Sequence, residues 1–236
     1  MAAMKVKKKV MKEPSTLAVK RAYDYLKGLT VDFTVHPGAQ INESEIANQL
    51  QMSRVPIREA LNRLVVGGFA TFEPGKGFFC RKFSETEMKE LYEVRLDIEL
   101  GAVRQACQCE NKSDIEAIIE ECKRLAECYK EKEQKELTLM DEAFHLRIAA
   151  LCGNMERVSF LQNIFERIRF VRKINIEDEA SRATLIGDHL KLMDAIRNQD
   201  ETAATELLLL HLGVDSQELK ENIRTGMLRI YASDMT

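Results

Sequence analysis

Four polar side chains that can bind a metal ion lie on predicted helix faces that should be apolar. In the segment LTLMDEAFHLRIAALCGN, residues 137–154, apolar residues recur every three or four positions and mark a core-facing stripe. Asp141 and His145 lie inside that stripe, one helical turn apart. His189 and His211 lie on the apolar faces of two later predicted helices.

These four groups need compensation, because a buried unpaired imidazole or carboxylate costs on the order of 1–3 kcal/mol. Taken singly, each histidine is typical of a core residue satisfied by a hydrogen bond. Taken together, neutral imidazoles and one carboxylate suit a divalent metal ion, with Zn²⁺ favoured and Ni²⁺, Mn²⁺ or Fe²⁺ as alternatives. We therefore predict a metal site formed by Asp141, His145, His189 and His211.

An anion is the expected partner of such a site. Three imidazoles and one carboxylate leave one or two positions open on a six-coordinate ion, with a net charge of about +1. Arg95 and Arg172 lie on apolar stripes of their own predicted helices, where arginines are rarely left unpaired. Each could bind the carboxylate of a small effector through two parallel hydrogen bonds, or pair with an internal acid such as Glu99.

The predicted metal ligands and the two arginines all lie in a part of the chain that is predicted to be helical. After Phe83 the strand signals stop, and amphipathic patterns separated by short connections follow. Because short connections make consecutive helices antiparallel neighbours, residues 84–236 are predicted to form an all-α antiparallel bundle. The predicted helices are six, at about 85–109, 113–133, 135–152, 155–176, 178–198 and 200–224.

Residues 15–83 have a different organisation, after a basic tail at 1–14 that is expected to be flexible. A first helix over 15–29, a second capped by Asn42 and a third capped by Ser53 are predicted. Two β-prone runs, FATFE and FFCRKF, flank the turn PGKG and predict a hairpin. This order of elements is that of a winged helix-turn-helix, so the chain as a whole is predicted to be mainly α.

Two arginines on the third predicted helix are suited to read DNA. In SRVPIREALNRL, residues 53–64, Arg54 and Arg58 share the face opposite the apolar stripe. At the start of the second helix of a helix-turn-helix, a guanidinium can donate two hydrogen bonds to a guanine in the major groove. Lys76, at the tip of the hairpin, could add a phosphate contact. Isolated arginines would be typical of a solvated face, but this layout favours DNA binding.

The charge distribution indicates two modules with different tasks. The 236 residues have a net charge of −3, but residues 1–83 carry 14 Lys/Arg against 7 Asp/Glu. The remaining residues carry 21 against 31. We expect a basic module for a polyanion, joined to an acidic module with another task.

The expected location is the cytoplasm. No run of about 18 apolar residues predicts a membrane span, and the basic N-terminus lacks the apolar core of a secretion signal. The six cysteines show neither CxxC pairs nor zinc-finger spacing, so reduced thiols are expected.

Residues 43–79, ESEIANQLQMSRVPIREALNRLVVGGFATFEPGKGFF, resemble the signature of GntR-family transcriptional regulators. The resemblance implies that Ser53, Arg54 and Arg58 contact double-stranded DNA. It also implies that the wing glycines, such as Gly77, approach the DNA backbone.

Two positions depart from that signature. Ser44 stands where some relatives carry a DNA-contacting arginine, which implies a weaker contact there. Gln51 stands where a loop glycine is usual. If that position needs a positive φ, Gln51 meets the requirement at an energetic cost.

Residues 87–212 resemble the FCD domain, the all-helical effector domain of the FadR-like branch of that family. The matching pieces are RLDIE, DEAFH, GN, DHLKLMDAI and HL. In metal-binding relatives the ligands are the aspartate and histidine of DxxFH and two later histidines, which implies the same four ligands here. The predicted count of six helices fits the shorter, VanR-like form of the domain.

The resemblance implies a transcription factor that binds a palindromic operator as a homodimer and responds to a small carboxylate at the metal ion. Two alternatives stay open: an enzyme whose metal activates water, and a direct metal sensor. Against an enzyme, no further acid–base residue is well placed and the basic module would have no use. The sequence leaves open which effector binds and whether the protein represses or activates.

Overall fold

The computed structural model describes residues 15–151, 153–177, 179–213 and 216–232. Within these ranges the chain divides into two compact units, 15–30 with 34–81 and 31–33 with the residues from 82 onward. None of the helices in these ranges has the length and apolarity that a membrane span requires. The predicted basic tail and Cys152 lie outside them, and the predicted domain limits stay a prediction.

The first unit combines three helices with a small antiparallel sheet, which confirms the predicted winged helix-turn-helix. The sheet has the strand order β1-β3-β2, in which Gln40 pairs with Phe79 and Ala70 with Cys80. Strand β1 is absent from the prediction, because two residues are too few to show an alternating pattern. The elements are α1 (Ser15–Val31), β1 (Gln40–Ile41), α2 (Glu43–Gln49), α3 (Arg54–Val66), β2 (Ala70–Glu73) and β3 (Gly77–Cys80).

Local chemistry explains where α2 and α3 begin. The Asn42 side chain accepts hydrogen bonds from the backbone N–H groups of Ser44 and Glu45, as a capping residue should. Ser53 occupies the corresponding position before α3 but makes no side-chain capping bond, so that part of the prediction is wrong. Gln51, in the turn between the helices, has a φ of +53°, which confirms the strained loop position.

The described residues of the second unit form seven α-helices, not the six that were predicted. The predicted helix over 200–224 is interrupted at Gly213, whose φ of +50° ends one helix, and Ser216 caps the next. The wrong count removes the support for the shorter, VanR-like form. The helices are α4 (Glu85–Ala106), α5 (Lys112–Cys128), α6 (Gln134–Leu151), α7 (Met155–Asn175), α8 (Glu179–Arg197), α9 (Glu201–Leu212) and α10 (Gln217–Tyr231).

Two large apolar clusters, together with a smaller one, hold this bundle together. One lies among α4, α5, α6, α8 and α9 and includes Ile118, Phe144 and Ile196. The other lies among α4, α6, α7 and α10 and includes Phe165 and Ile223. Helix α4 packs against α6, α7 and α9, so it runs between the two clusters. Polar groups placed on the inward faces of these helices are therefore removed from water.

Replacing Gln51 with glycine is expected to stabilise the protein. Glycine adopts a positive φ without the steric cost that glutamine carries. Because this relief exceeds the free-energy cost of a more flexible unfolded chain, the free energy of unfolding should rise by about 0.5–1 kcal/mol. Urea unfolding measures the difference. The control is Asn48→Gly, at an exposed helical position of α2, which should give no gain. Equal behaviour of the two variants would contradict a strained turn.

Candidate metal centre and nucleic-acid interface

Three helices of the second unit bring the four predicted metal ligands together. Asp141 and His145 come from α6, His189 from α8 and His211 from α9. One ligand atom from each lies within 4.8 Å of the others. Asp141 and His145 are 1% exposed and His189 is 2% exposed, so the cluster lies in the interior.

The ligand atoms face a common centre. His145 Nε2 lies 3.3 Å from His211 Nε2 and 3.7 Å from Asp141 Oδ1. His189 Nε2 lies 3.3 Å from the same Asp141 oxygen. The ring of Phe144 stacks on His189 with centroids 3.7 Å apart, which fixes the orientation of that imidazole.

Glu99 on α4 orients His145 from behind. Its Oε2 lies 2.6 Å from His145 Nδ1. A carboxylate at that distance keeps the proton on Nδ1, which leaves the lone pair of Nε2 directed at the cluster. Burial alone would raise the pKa of Glu99, but the contact with His145 Nδ1 and the guanidinium of Arg95 outweigh burial and hold this pKa well below its ordinary value.

Burial favours the neutral form of the three imidazoles in the cluster. Burial, together with the neighbouring His145, lowers the pKa of His189 well below its ordinary value. Burial and His189 do the same for the pKa of His211. Burial also lowers the pKa of His145, against the opposing effect of Glu99. Neutral imidazole is the form that donates a lone pair to a metal ion.

The donor set fits a divalent metal ion. Within the described residues, Asp141 Oδ1 and His189 Nε2 are buried and make no hydrogen bond. Leaving such atoms unpaired is costly, and a cation at the common centre would satisfy both. Three imidazole nitrogens and one carboxylate oxygen are the ligand types that Zn²⁺ and neighbouring transition metals take.

Both predicted effector arginines lie beside the cluster, and both pair with acids of the protein. Arg95 Nε donates to Glu99 Oε1 at 2.6 Å, and Arg172 pairs with Asp141. The two guanidinium carbons lie 4.9 and 5.6 Å from the ring centroid of Phe165. Of the two roles that the sequence left open, pairing with an internal acid is therefore present for each arginine.

A cavity of about 140 Å³ adjoins the cluster. Its wall includes His211, Arg95 and Arg172 from the region just described. Burial raises the pKa of Tyr92, another wall residue, so its hydroxyl remains a neutral hydrogen-bonding group. The remaining wall comes from α7, α8, α9 and α10 and the connection between the last two: Asn175, Leu185, Leu210, Leu212, Gly213, Ser216, Glu218, Leu219 and Asn222.

The first unit gathers most of its predicted DNA-binding residues around one cleft. The cleft, of about 470 Å³, lies between the start of α3 and the wing. Ser53 directly precedes α3 at the same end. Gly77 has a φ of +104°, a backbone conformation that a side chain would oppose. The predicted residues that line the cleft are Ser44, Arg54, Arg58, Lys76 and Gly77.

Glu43, at the start of α2, forms ion pairs with both arginines of this cleft. Its Oε1 lies 3.0 Å from Arg58 Nη2, and its Oε2 lies 3.9 Å from Arg54 Nη2. The arginine side chains are 59% and 62% exposed, so their charges are accessible to a polyanion. The wing tip is fixed separately, since Gln40 Nε2 donates to the Lys76 carbonyl at 2.5 Å.

Sequence reasoning missed several residues of the two sites. Glu43 and Gln40 act through contacts with residues 15 and 36 positions away, which no local pattern encodes. Phe165 and Tyr92 lie on apolar stripes and look like ordinary core residues. Glu99 appeared only as a possible partner of Arg95, and its contact with His145 is between helices.

Replacing Glu99 with glutamine is expected to destabilise the helical unit by about 3 kcal/mol. The substitution keeps the shape but removes the negative charge that pairs with buried Arg95, which leaves an uncompensated charge in the interior. Thermal unfolding of protein treated with a chelator measures the effect without any metal contribution. Glu90→Gln, at an exposed position of the same helix, should change stability by less than about 0.5 kcal/mol. Equal stability of the two variants would contradict the role given to Glu99.

Each of the two units matches a known protein family. Residues 18–80 match the family described as bacterial regulatory proteins, gntR family. Residues 90–214 match the FCD domain. The two matches correspond to the winged helix-turn-helix and to most of the helical bundle.

Whole-chain relatives agree with these matches. The Nta operon transcriptional regulator of Aminobacter aminovorans is 36% identical over 203 residues, covering 86% of this chain and 95% of the relative. The HTH-type transcriptional regulator YdhC of Bacillus subtilis, described as uncharacterized, is 26% identical, covering 86% and 92%. These families and relatives are transcriptional regulators, not enzymes.

Solved structures share the fold. Escherichia coli McbR/YncC has a TM-score of 0.66 at 20% identity and covers 92% of this chain and 98% of its own. A putative GntR regulator from Rhodococcus sp. RHA1 has a TM-score of 0.65 at 22% identity, covering 89% and 97%. The chain belongs to the GntR family of DNA-binding transcriptional regulators and carries an FCD effector domain.

Proposed function

We propose that this regulator binds a divalent metal ion through Asp141, His145, His189 and His211, and that a small carboxylate effector bound beside this ion modulates DNA binding. The observation that carries the proposal is the convergence of four ligand atoms, from three buried residues and the half-buried His211, within 4.8 Å of one another. When bound, the ion supplies a Lewis-acidic centre with positions open to an anionic ligand. Zn²⁺ suits the donor set best, with Ni²⁺, Mn²⁺ or Fe²⁺ as alternatives.

The charges around the cluster support an anionic effector. Arg95 is matched by Glu99, and Arg172 is matched by Asp141. With the imidazoles in the neutral form that burial favours, these residues carry no net charge of their own. A bound divalent ion therefore adds positive charge to the interior that no neighbouring acid offsets, and a carboxylate ligand reduces that cost.

The cavity supports an effector role over a purely metal-sensing one. His211 belongs both to the cluster and to the cavity wall, together with Arg95 and Arg172. A ligand in this cavity would contact helices α4, α7, α9 and α10 at once. Such a ligand shifts the protein between two arrangements only if it binds one of them better.

For DNA we propose that Arg54 and Arg58 read bases in the major groove, while Ser44, Ser53, Lys76 and Gly77 contact the backbone. The arginines lie at the start of α3 and border the cleft beside the wing. Regulators of this family typically dimerise. We propose a cytoplasmic homodimer that binds a palindromic operator.

Purified full-length protein is expected to contain about one divalent metal ion per chain, and chelation is expected to lower its Tm. Ligand binding to the folded state alone stabilises a protein by about 4 kcal/mol when the free ion is a thousandfold above its Kd. His189→Ala should lose the ion and become insensitive to chelator. His36→Ala, which removes the one histidine outside the helical unit, should retain both properties. Metal content by mass spectrometry, with thermal unfolding, decides between these results; an unchanged His189→Ala variant would overturn the metal site.

Arg54→Ala and Arg58→Ala are each expected to weaken operator binding by about 1–3 kcal/mol and to relax base preference. Fluorescence anisotropy with DNA from upstream of the protein's own gene measures this effect. Arg63→Ala is the control, because Arg63 lies in the last turn of the same helix and pairs with Glu59. Undiminished operator binding by both cleft variants would contradict the DNA-reading role.

A further inference from the structure

We propose that Asn175 and Asn222 recognise a neutral hydroxyl group of the effector, which makes the ligand of the cavity a small hydroxy acid rather than a dicarboxylate. This inference rests on the proposed function, because it takes the cavity beside the cluster as the effector pocket. It assigns a specificity role to two amide side chains outside the metal and arginine sites.

The two amides line the same cavity as Arg172 and His211. Asn175 follows Arg172 by three residues on α7, so both are on one face of the helix and about 4.5 Å apart along its axis. Asn222 comes from α10 and lines the same cavity. A ligand whose carboxylate lies near the cluster and Arg172 therefore extends its next polar group toward the amides.

The hydrogen bond between the amides determines what they can bind. Asn222 Nδ2 donates to Asn175 Oδ1 at 3.0 Å. This bond leaves the N–H groups of Asn175 and the carbonyl oxygen of Asn222 with further capacity. A hydroxyl group accepts from the first and donates to the second. A carboxylate only accepts, so its negative charge would face the Asn222 oxygen without a hydrogen bond.

Charges near the amides also disfavour a second carboxylate. Among the described residues of the cavity wall, the cationic side chains are Arg95 and Arg172, and each already pairs with an acid. The wall also includes the exposed carboxylate of Glu218. A bound metal ion would place its positive charge at the cluster, and of the four cluster ligands only His211 lines this cavity. A neutral polar group is thus the better match for Asn175 and Asn222.

The test uses zinc-loaded full-length protein and acids with the same carbon chain: butyrate, its 2-, 3- and 4-hydroxy derivatives, and succinate. Isothermal titration should show at least one hydroxybutyrate binding about tenfold or more tightly than butyrate and succinate, because an unmatched polar group in the pocket is costly. Asn175→Leu and Asn222→Leu should each remove this preference while leaving zinc content unchanged. Gln162→Leu, at an exposed position of α7, should keep the preference.

The outcomes separate this inference from the proposed function. If acids bind but succinate or butyrate equals the best hydroxybutyrate, the hydroxyl-reading role is wrong and the carboxylate pocket stands. The same conclusion follows if both leucine variants keep the preference. If the wild-type protein retains zinc but binds none of these acids, the carboxylate pocket is wrong and the inference fails with it.

Discussion

The interior of the helical domain is organised around one costly arrangement, the convergence of an aspartate and three imidazoles between two apolar clusters. Asp141 and His189 each present a buried atom that makes no hydrogen bond among the described residues. Such an arrangement is tolerable only if something else compensates for it. Neutral imidazoles with lone pairs directed inward make a cation the natural compensation. The surrounding residues are arranged accordingly, since they orient the imidazoles and pair their own charges.

The surrounding charges are matched in pairs. Glu99 both pairs with Arg95 and orients His145, while Arg172 pairs with Asp141. Because these residues already balance one another, a bound ion would bring uncompensated positive charge beside a small polar cavity. The electrostatics of the cluster and the chemistry of its ligand are therefore linked, and the helices that line the cavity would respond to both.

Sequence patterns predicted the metal ligands well, but they predicted poorly the residues that contact and orient those ligands. Asp141 and His145 stand out because both interrupt one apolar stripe at a helical spacing, and the winged helix-turn-helix follows from equally local signals. The helix count was wrong because Gly213 breaks a continuous apolar pattern without a proline to mark the break. Contacts between distant helices, such as Glu99 with His145, depend on packing that periodicity does not encode. The ion pairs of Glu43 with Arg54 and Arg58 also join different helices, so periodicity does not predict them either.

The central claim is that the buried cluster is a metal site, and X-ray absorption spectroscopy at the zinc edge of zinc-loaded full-length protein tests it most directly. The account predicts nitrogen and oxygen neighbours at about 2.0–2.2 Å, with the multiple scattering of three imidazole rings and no sulfur shell. A shell containing cysteine sulfur at about 2.3 Å, or one without imidazole scattering, would contradict it.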